Sequence, residues 1–344
     1  MKKVLLFLIA FFIGIALFIW VLRMVGWSDI RKILLSFTGY QGLIILFLTL
    51  LIWLVGFWKW QFVLSSQGCN FSKRTLLQIT FAGNAVTYLL TPTAIFGGEG
   101  FRMYSLRKKS SVPWENNIAA IIIEKLLSAS IAWLFLIVGL LSFIFLNQSL
   151  SGQFSIISTI IIGGLSLGLL IFYLQCFRKK SIFRLIFRFL GKQFKDGHLT
   201  ENIEKEIFTF FDFRKKIMWK GLGIAFFRYF LIFLRCWLLI FFLSGELNIL
   251  IALAIMFFLY LAYSFPLPAG LGSLEAAQAF AFNSFGLGAA TGITFSLILR
   301  GAEIIISLIG VVFLIKIGLE IFAGNIKDFF KKITSNADQQ GGER

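Results

Sequence analysis

The chain has 344 residues, of which 58% are hydrophobic and only 14% charged, with mean hydropathy +0.88 and a formal net charge of +17. This composition leaves little chain for a soluble domain and reads as a polytopic membrane protein, because runs approaching the roughly 20 apolar residues that span a bilayer recur along it. The cysteines Cys69, Cys176 and Cys236 are far apart, His198 is the lone histidine in a Lys-rich loop, and no G-x-x-x-x-G-K-[ST] loop occurs, so no metal, cofactor or nucleic-acid partner is expected.

Lys2 and Lys3 precede an apolar run over 4–22. The run is longer than the roughly 7 to 15 residues of a signal h-region and lacks a small-residue cleavage site, so it reads as the first span. A second span begins at 42 and is expected to end near 57. Segment 75–92 is apolar enough to cross, yet Lys73-Arg74 before it and Arg107-Lys108-Lys109 after it both belong to the cytoplasmic side by their basic charge. The segment is therefore expected to enter, turn near Gly97-Gly98 and return.

Further spans follow at about 119–145 and 154–176, joined outside by the uncharged LNQSLSGQ of 146–153. The stretch 177–220 has the strongest basic excess and is interfacial or cytoplasmic. Within it, Phe183, Ile186, Phe187, Leu190 and Phe194 alternate at helical spacing with Arg184, Arg188, Lys192 and Lys195, the pattern of a helix on an anionic leaflet or of a plain basic connector. A span over about 222–243 leads outside to SGEL (244–247), residues 248–290 form a second hairpin, and a last span over about 291–318 returns inside. Residues 321–344 form a cytoplasmic tail, expected to be disordered after 333. The expected fold is an all-α polytopic membrane protein with about six full spans and two re-entrant helical hairpins of opposite sense, an inverted pseudo-repeat; if both hairpins cross instead, there are about eight spans. Residues 1–320 make one transmembrane domain in the cell (inner or plasma) membrane, with both termini cytoplasmic.

Nine charged residues fall in or beside the apolar runs: Glu99, Arg102, Glu124, Lys125, Arg228, Arg235, Glu275, Arg300 and Glu303. Each costs roughly 2.5 to 3.5 kcal/mol on insertion scales, so a chain that keeps them is expected to use them. Three of them, Glu99, Arg102 and Glu275, lie in two Gly/Pro breaks. In Thr91-Pro92-Thr93-Ala94-Ile95-Phe96-Gly97-Gly98-Glu99-Gly100-Phe101-Arg102, Pro92 ends a helix and the glycines allow a tight turn whose free N–H groups would hold an anion near Arg102. Asn84 and Thr87 stand one turn apart just before it. In Phe265-Pro266-Leu267-Pro268-Ala269-Gly270-Leu271-Gly272-Ser273-Leu274-Glu275, a helix breaks at Pro266 and Pro268, passes Gly270 and Gly272, and restarts with Ser273 as the expected N-cap and Glu275 in the first turn. Arg300 and Glu303 are three apart and expected to pair locally. Arg228 and Arg235 share a face and would find acids among Glu99, Glu124 and Glu275.

In this order, a Pro then GGE-G-x-R, an E-K pair early in a long helix, P-x-P-x-G-x-G-x-x-E and a late Arg, the chain resembles the lysylphosphatidylglycerol synthase transmembrane (flippase-like) family over about residues 5–320. Gly97, Gly98, Glu99 and Arg102 match the first break of that pattern, Glu124 its acidic position, Pro268, Gly270, Gly272 and Glu275 its second break, and Arg300 its late arginine. The chain departs from the pattern at Ala269, Lys125 and Ser128, where the family favours glycine, arginine and an acid. The family's lipid-aminoacylating members carry a soluble catalytic domain after the membrane part, whereas about 25 residues follow the last expected span here, so a stand-alone membrane region is expected.

The resemblance and the charges together imply a lipid flippase or transporter for an anionic lipid, a phospholipid such as phosphatidylglycerol or its aminoacylated form, or a polyprenyl-phosphate-linked carrier. Arg102, Arg228, Arg235 and Arg300 would meet the phosphate, because guanidinium binds it in a bidentate way and keeps its charge. Glu99, Glu124 and Glu275 would hold those arginines or carry protons, and Asn84 adds a polar group. The expected protein is not an enzyme. The alternatives are an accessory subunit of a glycosyltransferase or lipid-modifying system, with a partner enzyme, or a membrane enzyme using Glu99 or Glu275 as acid or base. The chain is also compatible with an oligomer.

Overall fold

The computed structural model describes residues 2–69, 71–90, 97–110, 112–147, parts of 163–174, 197–212, 214–265 and 267–341. Apolar runs without regular alternation satisfy their backbone only as helices in lipid, and every regular element among these residues is helical. They are α1 (Lys2–Val25), α2 (Trp27–Ser36), α3 (Gly39–Ser66), α4 (Lys73–Leu90), α5 (Gly98–Ser110), α6 (Trp114–Leu146), α7 (Gly197–Phe210), α8 (Lys216–Ser244), α9 (Ile249–Ser264), α10 (Ser273–Ser284) and α11 (Ala289–Gly341), with a single 3-10 turn at Pro268–Gly270 between α9 and α10.

Four helices, α3, α6, α8 and the Ala289–Glu320 part of α11, are long and apolar enough to cross a membrane, and shorter apolar stretches occupy Ile15–Val25 and α9. Their ends follow local chemistry. Thr38 and Gln41 form a reciprocal capping box at the start of α3, Asn248 Oδ1 caps α9 by accepting from Leu250 N at 2.9 Å, and Gly245 ends α8 in the left-handed conformation at φ 72°. The expected span at 154–176, the basic stretch 182–195, Pro92 and Pro266 lie largely or wholly outside the described residues. The tail differs from expectation: α11 runs on through Gly341, with a helical backbone where disorder was expected.

Both expected hairpins are present. α5 runs back along α4, with Gly98 beside Thr87 and Gly83 and Arg102 beside Gly83. α10 runs back along α9: Ser273 Oγ donates to Ala262 O at 3.0 Å and, further on, Gln278 Nε2 to Ile255 O at 3.3 Å. The first hairpin then packs on α11, where a Cβ at Gly310 would lie 2.4 Å from Phe81 O, and the second packs on α6, where a Cβ at Gly139 would lie 2.5 Å from Leu253 O. Small residues allow such backbone contact, the main source of helix attraction in lipid. Each hairpin thus leans on the last long helix of the other half.

Two large apolar cores result, beside two small ones around Val21, Ile30 and Ile293 and around Trp53, Phe81 and Ile306. Of the large cores, one, around Trp60, Leu76, Ile79, Leu106, Ile123 and Phe211, joins α3 to α6; the other, around Phe143, Phe258, Phe282 and Phe295, joins α6 to α8 through α11. α7 buries Ile203, Ile207 and Phe210 in the first core, so this part of the basic 177–220 segment is packed against the bundle. Outward-facing Phe47, Phe145, Phe226, Phe230, Leu308 and Val312 form the apolar exterior that lipid tails cover.

Candidate functional site

Apart from Glu204 on α7, the buried charged residues Lys59, Arg102, Glu124, Arg235 and Glu275 fall into two networks, one at each helix break. At the first, the turn into α5 places Gly97 at φ 148°, a conformation glycine favours, and Gly97 N donates to Glu99 Oε2 at 2.7 Å. The other oxygen, Oε1, pairs with Lys125 on α6. Gly98 N donates to Thr87 Oγ1 at 2.8 Å; a Cβ on Gly98 would overlap Gly83 O, so only glycine fits. Gly100 lies in the first turn of α5 with open space around it, and Asn84 is half-buried on α4.

Glu124 is the centre of this network. Its Oε2 accepts from Arg102 Nη2 at 2.7 Å and its Oε1 lies 3.5 Å from Lys59 Nζ. Arg102 is sandwiched further by Trp60, its guanidinium carbon 3.9 Å from the ring centre. Lys59, fully buried at 0% exposure, also donates to Ser128 Oγ. Ser128 is thus a hydroxyl that holds a lysine.

At the second break, Gly270 (φ 62°) and Gly272 (φ 79°) carry the chain from the 3-10 turn into α10. Glu275 caps the helix, accepting from Gly272 N on Oε2 at 2.9 Å, while its Oε1 takes Arg300 Nη2 at 2.7 Å; Arg300 also reaches Gly270 O at 3.4 Å. One turn along α11, Glu303 holds Arg235 Nη1 at 2.7 Å and accepts Trp53 Nε1 at 3.0 Å; Arg235 in turn donates to Thr49 Oγ1 at 2.9 Å. Pro268 opens the 3-10 turn that precedes these contacts.

Three sequence expectations change. Arg300 pairs with Glu275 across to α10 rather than with Glu303 on its own helix, because Glu303 is taken by Arg235. Arg235 therefore finds Glu303 and none of Glu99, Glu124 or Glu275, and Arg228 meets a carbonyl, Ile52 O at 3.4 Å, instead of an acid. Ser273 does not cap α10: its hydroxyl donates back to Ala262 O and Gly270 O, and Glu275 does the capping.

Lys59, Trp60, Trp53, Thr49 and Ser128 belong to these networks and were not among the expected site residues. The sequence signal for Lys59 was a lone cation in Gly56-Phe57-Trp58-Lys59-Trp60. It was missed because the second span was expected to end near 57, whereas α3 continues to Ser66.

The family described as "Lysylphosphatidylglycerol synthase TM region" matches residues 7–310 of this chain. The "UPF0104 membrane protein MJ1595" of Methanocaldococcus jannaschii is 21% identical over 296 residues, covering 83% of this chain and 86% of its own.

Proposed function

The chain belongs to the lysylphosphatidylglycerol synthase TM region family, and from that premise we propose that it moves an anionic lipid between the leaflets of the cell membrane without altering it. One observation carries the proposal. The two networks hold six cations, Lys59, Arg102 and Arg235 buried and Lys125, Arg228 and Arg300 partly buried, against four carboxylates, Glu99, Glu124, Glu275 and Glu303. Arg228 has no carboxylate within 4.0 Å among the described residues. Cations kept inside a bilayer without partners are costly, and an anionic headgroup entering beside Arg102, Arg228 and Lys59 would offset that cost while its tails stay among the exterior phenylalanines. The inner or plasma membrane, cytoplasmic termini and re-entrant hairpins of opposite sense are part of the same reading, since inverted halves build midplane sites of this kind.

The test is reconstitution. Purified protein in liposomes is expected to carry fluorescent anionic lipid from one leaflet to the other, with zwitterionic lipid moving more slowly. A chemically changed lipid product would instead favour the enzyme reading, and no movement across a panel of anionic and zwitterionic lipids would favour an accessory subunit.

A further inference from the structure

Among the described residues of the two networks, the surplus charge is not shared between them. Around the first break four cations, Lys59, Arg102, Lys125 and Arg228, face two carboxylates, Glu99 and Glu124; around the second, Arg235 and Arg300 are matched one for one by Glu303 and Glu275. The halves otherwise use the same devices, so a surplus of two confined to one of them marks a place rather than a general bias.

That place has a defined floor. Ile52, Gly56 and Lys59 lie along one face of α3. Arg228 Nε donates to Ile52 O, and the guanidinium packs over Gly56, with Nε 3.4 Å from the position of a Cβ. One turn on, Lys59 feels the charges of Arg228, Arg102 and Lys125 as well as that of Glu124. Two buried donors in the same cluster, Arg102 Nε and Trp60 Nε1, have no acceptor among the described residues; Arg235 Nε and Arg300 Nε in the second network also lack one, so the charge surplus and not the orphaned donors distinguishes the first cluster. None of these groups is able to accept a hydrogen bond, so only an acceptor satisfies them.

We infer that the cluster of Lys59, Arg102 and Arg228 takes a terminal phosphate, in preference to the singly charged phosphodiester of a phosphatidylglycerol headgroup. A terminal phosphate carries about two negative charges at neutral pH and offers only acceptor oxygens to its surroundings once ionised, which matches both the surplus of two and the orphaned donors. Arginine presents the planar fork that such a group binds. The inference rests on the lipid-transport reading for its membrane setting, but the phosphate chemistry comes from the cluster alone, so a lipid bearing a terminal phosphate and free inorganic phosphate share it.

The experiment compares short-chain fluorescent phosphatidic acid, phosphatidylglycerol and phosphatidylcholine in liposomes containing the full chain, and measures thermal protection of the detergent-solubilised protein by inorganic phosphate. Phosphatidic acid should move at least about tenfold faster than phosphatidylglycerol. Its rate should rise with pH through about 6, as the phosphate takes its second charge, while the phosphatidylglycerol rate stays flat. Arg228→Gln should erase the preference and Arg228→Lys should keep part of it, each variant eluting and melting like the wild type. Phosphatidylglycerol moving as fast as phosphatidic acid would overturn the terminal-phosphate inference and leave lipid transport standing. Protection by inorganic phosphate, lost in Arg228→Gln, with no lipid moved would uphold the site and overturn the lipid reading. The absence of both the preference and the protection would overturn the inference.

Discussion

Glu99 and Glu275 hold the same position in the two halves of the bundle: each accepts a glycine N–H from its helix break on Oε2 and holds a cation from the next long helix, Lys125 or Arg300, on Oε1. Lys59 and Arg235 form a second such pair, each reaching from α3 or α8 to a carboxylate on the last long helix of its own half, Glu124 or Glu303. Positions 59 and 235, and 99 and 275, are both 176 residues apart. Their partners lie at nearly the same spacing, 175 residues between Lys125 and Arg300 and 179 between Glu124 and Glu303, as duplicated halves with small length differences would leave.

The proposed inverted arrangement would place the hairpin openings on opposite faces. In a variant lacking Cys69, Cys176 and Cys236, a single cysteine at Ser110 should react with an impermeant reagent from the cytoplasmic face and one at Ser244 from the outer face. Labelling of Ser110 from outside would mean that α4 and α5 cross the membrane in sequence, and the inverted arrangement would be lost.

The hairpins stand on backbone contact with the opposite half. Gly310→Ala would drive a Cβ to 2.4 Å from Phe81 O, and Gly139→Ala one to 2.5 Å from Leu253 O. Backbone does not yield as a side chain does, so each should cost about 1 to 3 kcal/mol, read as a lowered melting temperature of the purified protein. Gly301→Ala meets nothing within 4 Å and should leave the melting temperature unchanged or raise it, since alanine suits a helix interior better by about 0.5 to 1 kcal/mol. Equal behaviour of all three would show that helix propensity, not contact, decides.

The pairing across the second break makes a sharper case. Glu275→Gln leaves Arg300 with a carbonyl as its remaining partner, and breaking a buried pair in this way costs about 3 to 5 kcal/mol. Combining it with Arg300→Gln should cost much less than the sum of the single changes, because the two share one interaction. Glu275→Gln with Arg102→Gln should be additive, since Arg102 is bound to Glu124 in the other network. Additivity of Glu275→Gln with Arg300→Gln, measured by thermal melting, would remove the pair.

What the sequence made legible was whatever is written locally. Charges inside apolar runs marked the network residues, and the Gly/Pro breaks marked both hairpins, because a turn at membrane depth needs particular residues at particular places. Pairing was not legible. Arg300 and Glu303 are three apart, the spacing of a local pair, yet each has a stronger partner on another helix, and which helix stands opposite is set by packing at Gly139, Gly292 and Gly310. Lys59 was hidden for a different reason: it sits past the point where the apolar run looked finished, and only the true length of α3 brings it inside.

Among the described residues, Glu124 alone holds two cations in ion pairs, Arg102 at 2.7 Å and Lys59 at 3.5 Å. Glu124→Gln leaves Lys59, Arg102, Lys125 and Arg228 facing Glu99 as their one carboxylate. Lys59→Met does the opposite: it removes a fully buried cation, replaces it with an apolar side chain of similar length, and leaves the Arg102 pair intact. Glu124→Gln should therefore lower the melting temperature more, by a difference on the order of 3 to 5 kcal/mol. In the double variant Lys59→Met relieves one stranded charge, so part of the loss should return. If Lys59→Met proved as damaging as Glu124→Gln, and the double variant worse than either, then Lys59 would be stabilising the core through more than its pair with Glu124, with Ser128 as the contact to examine next.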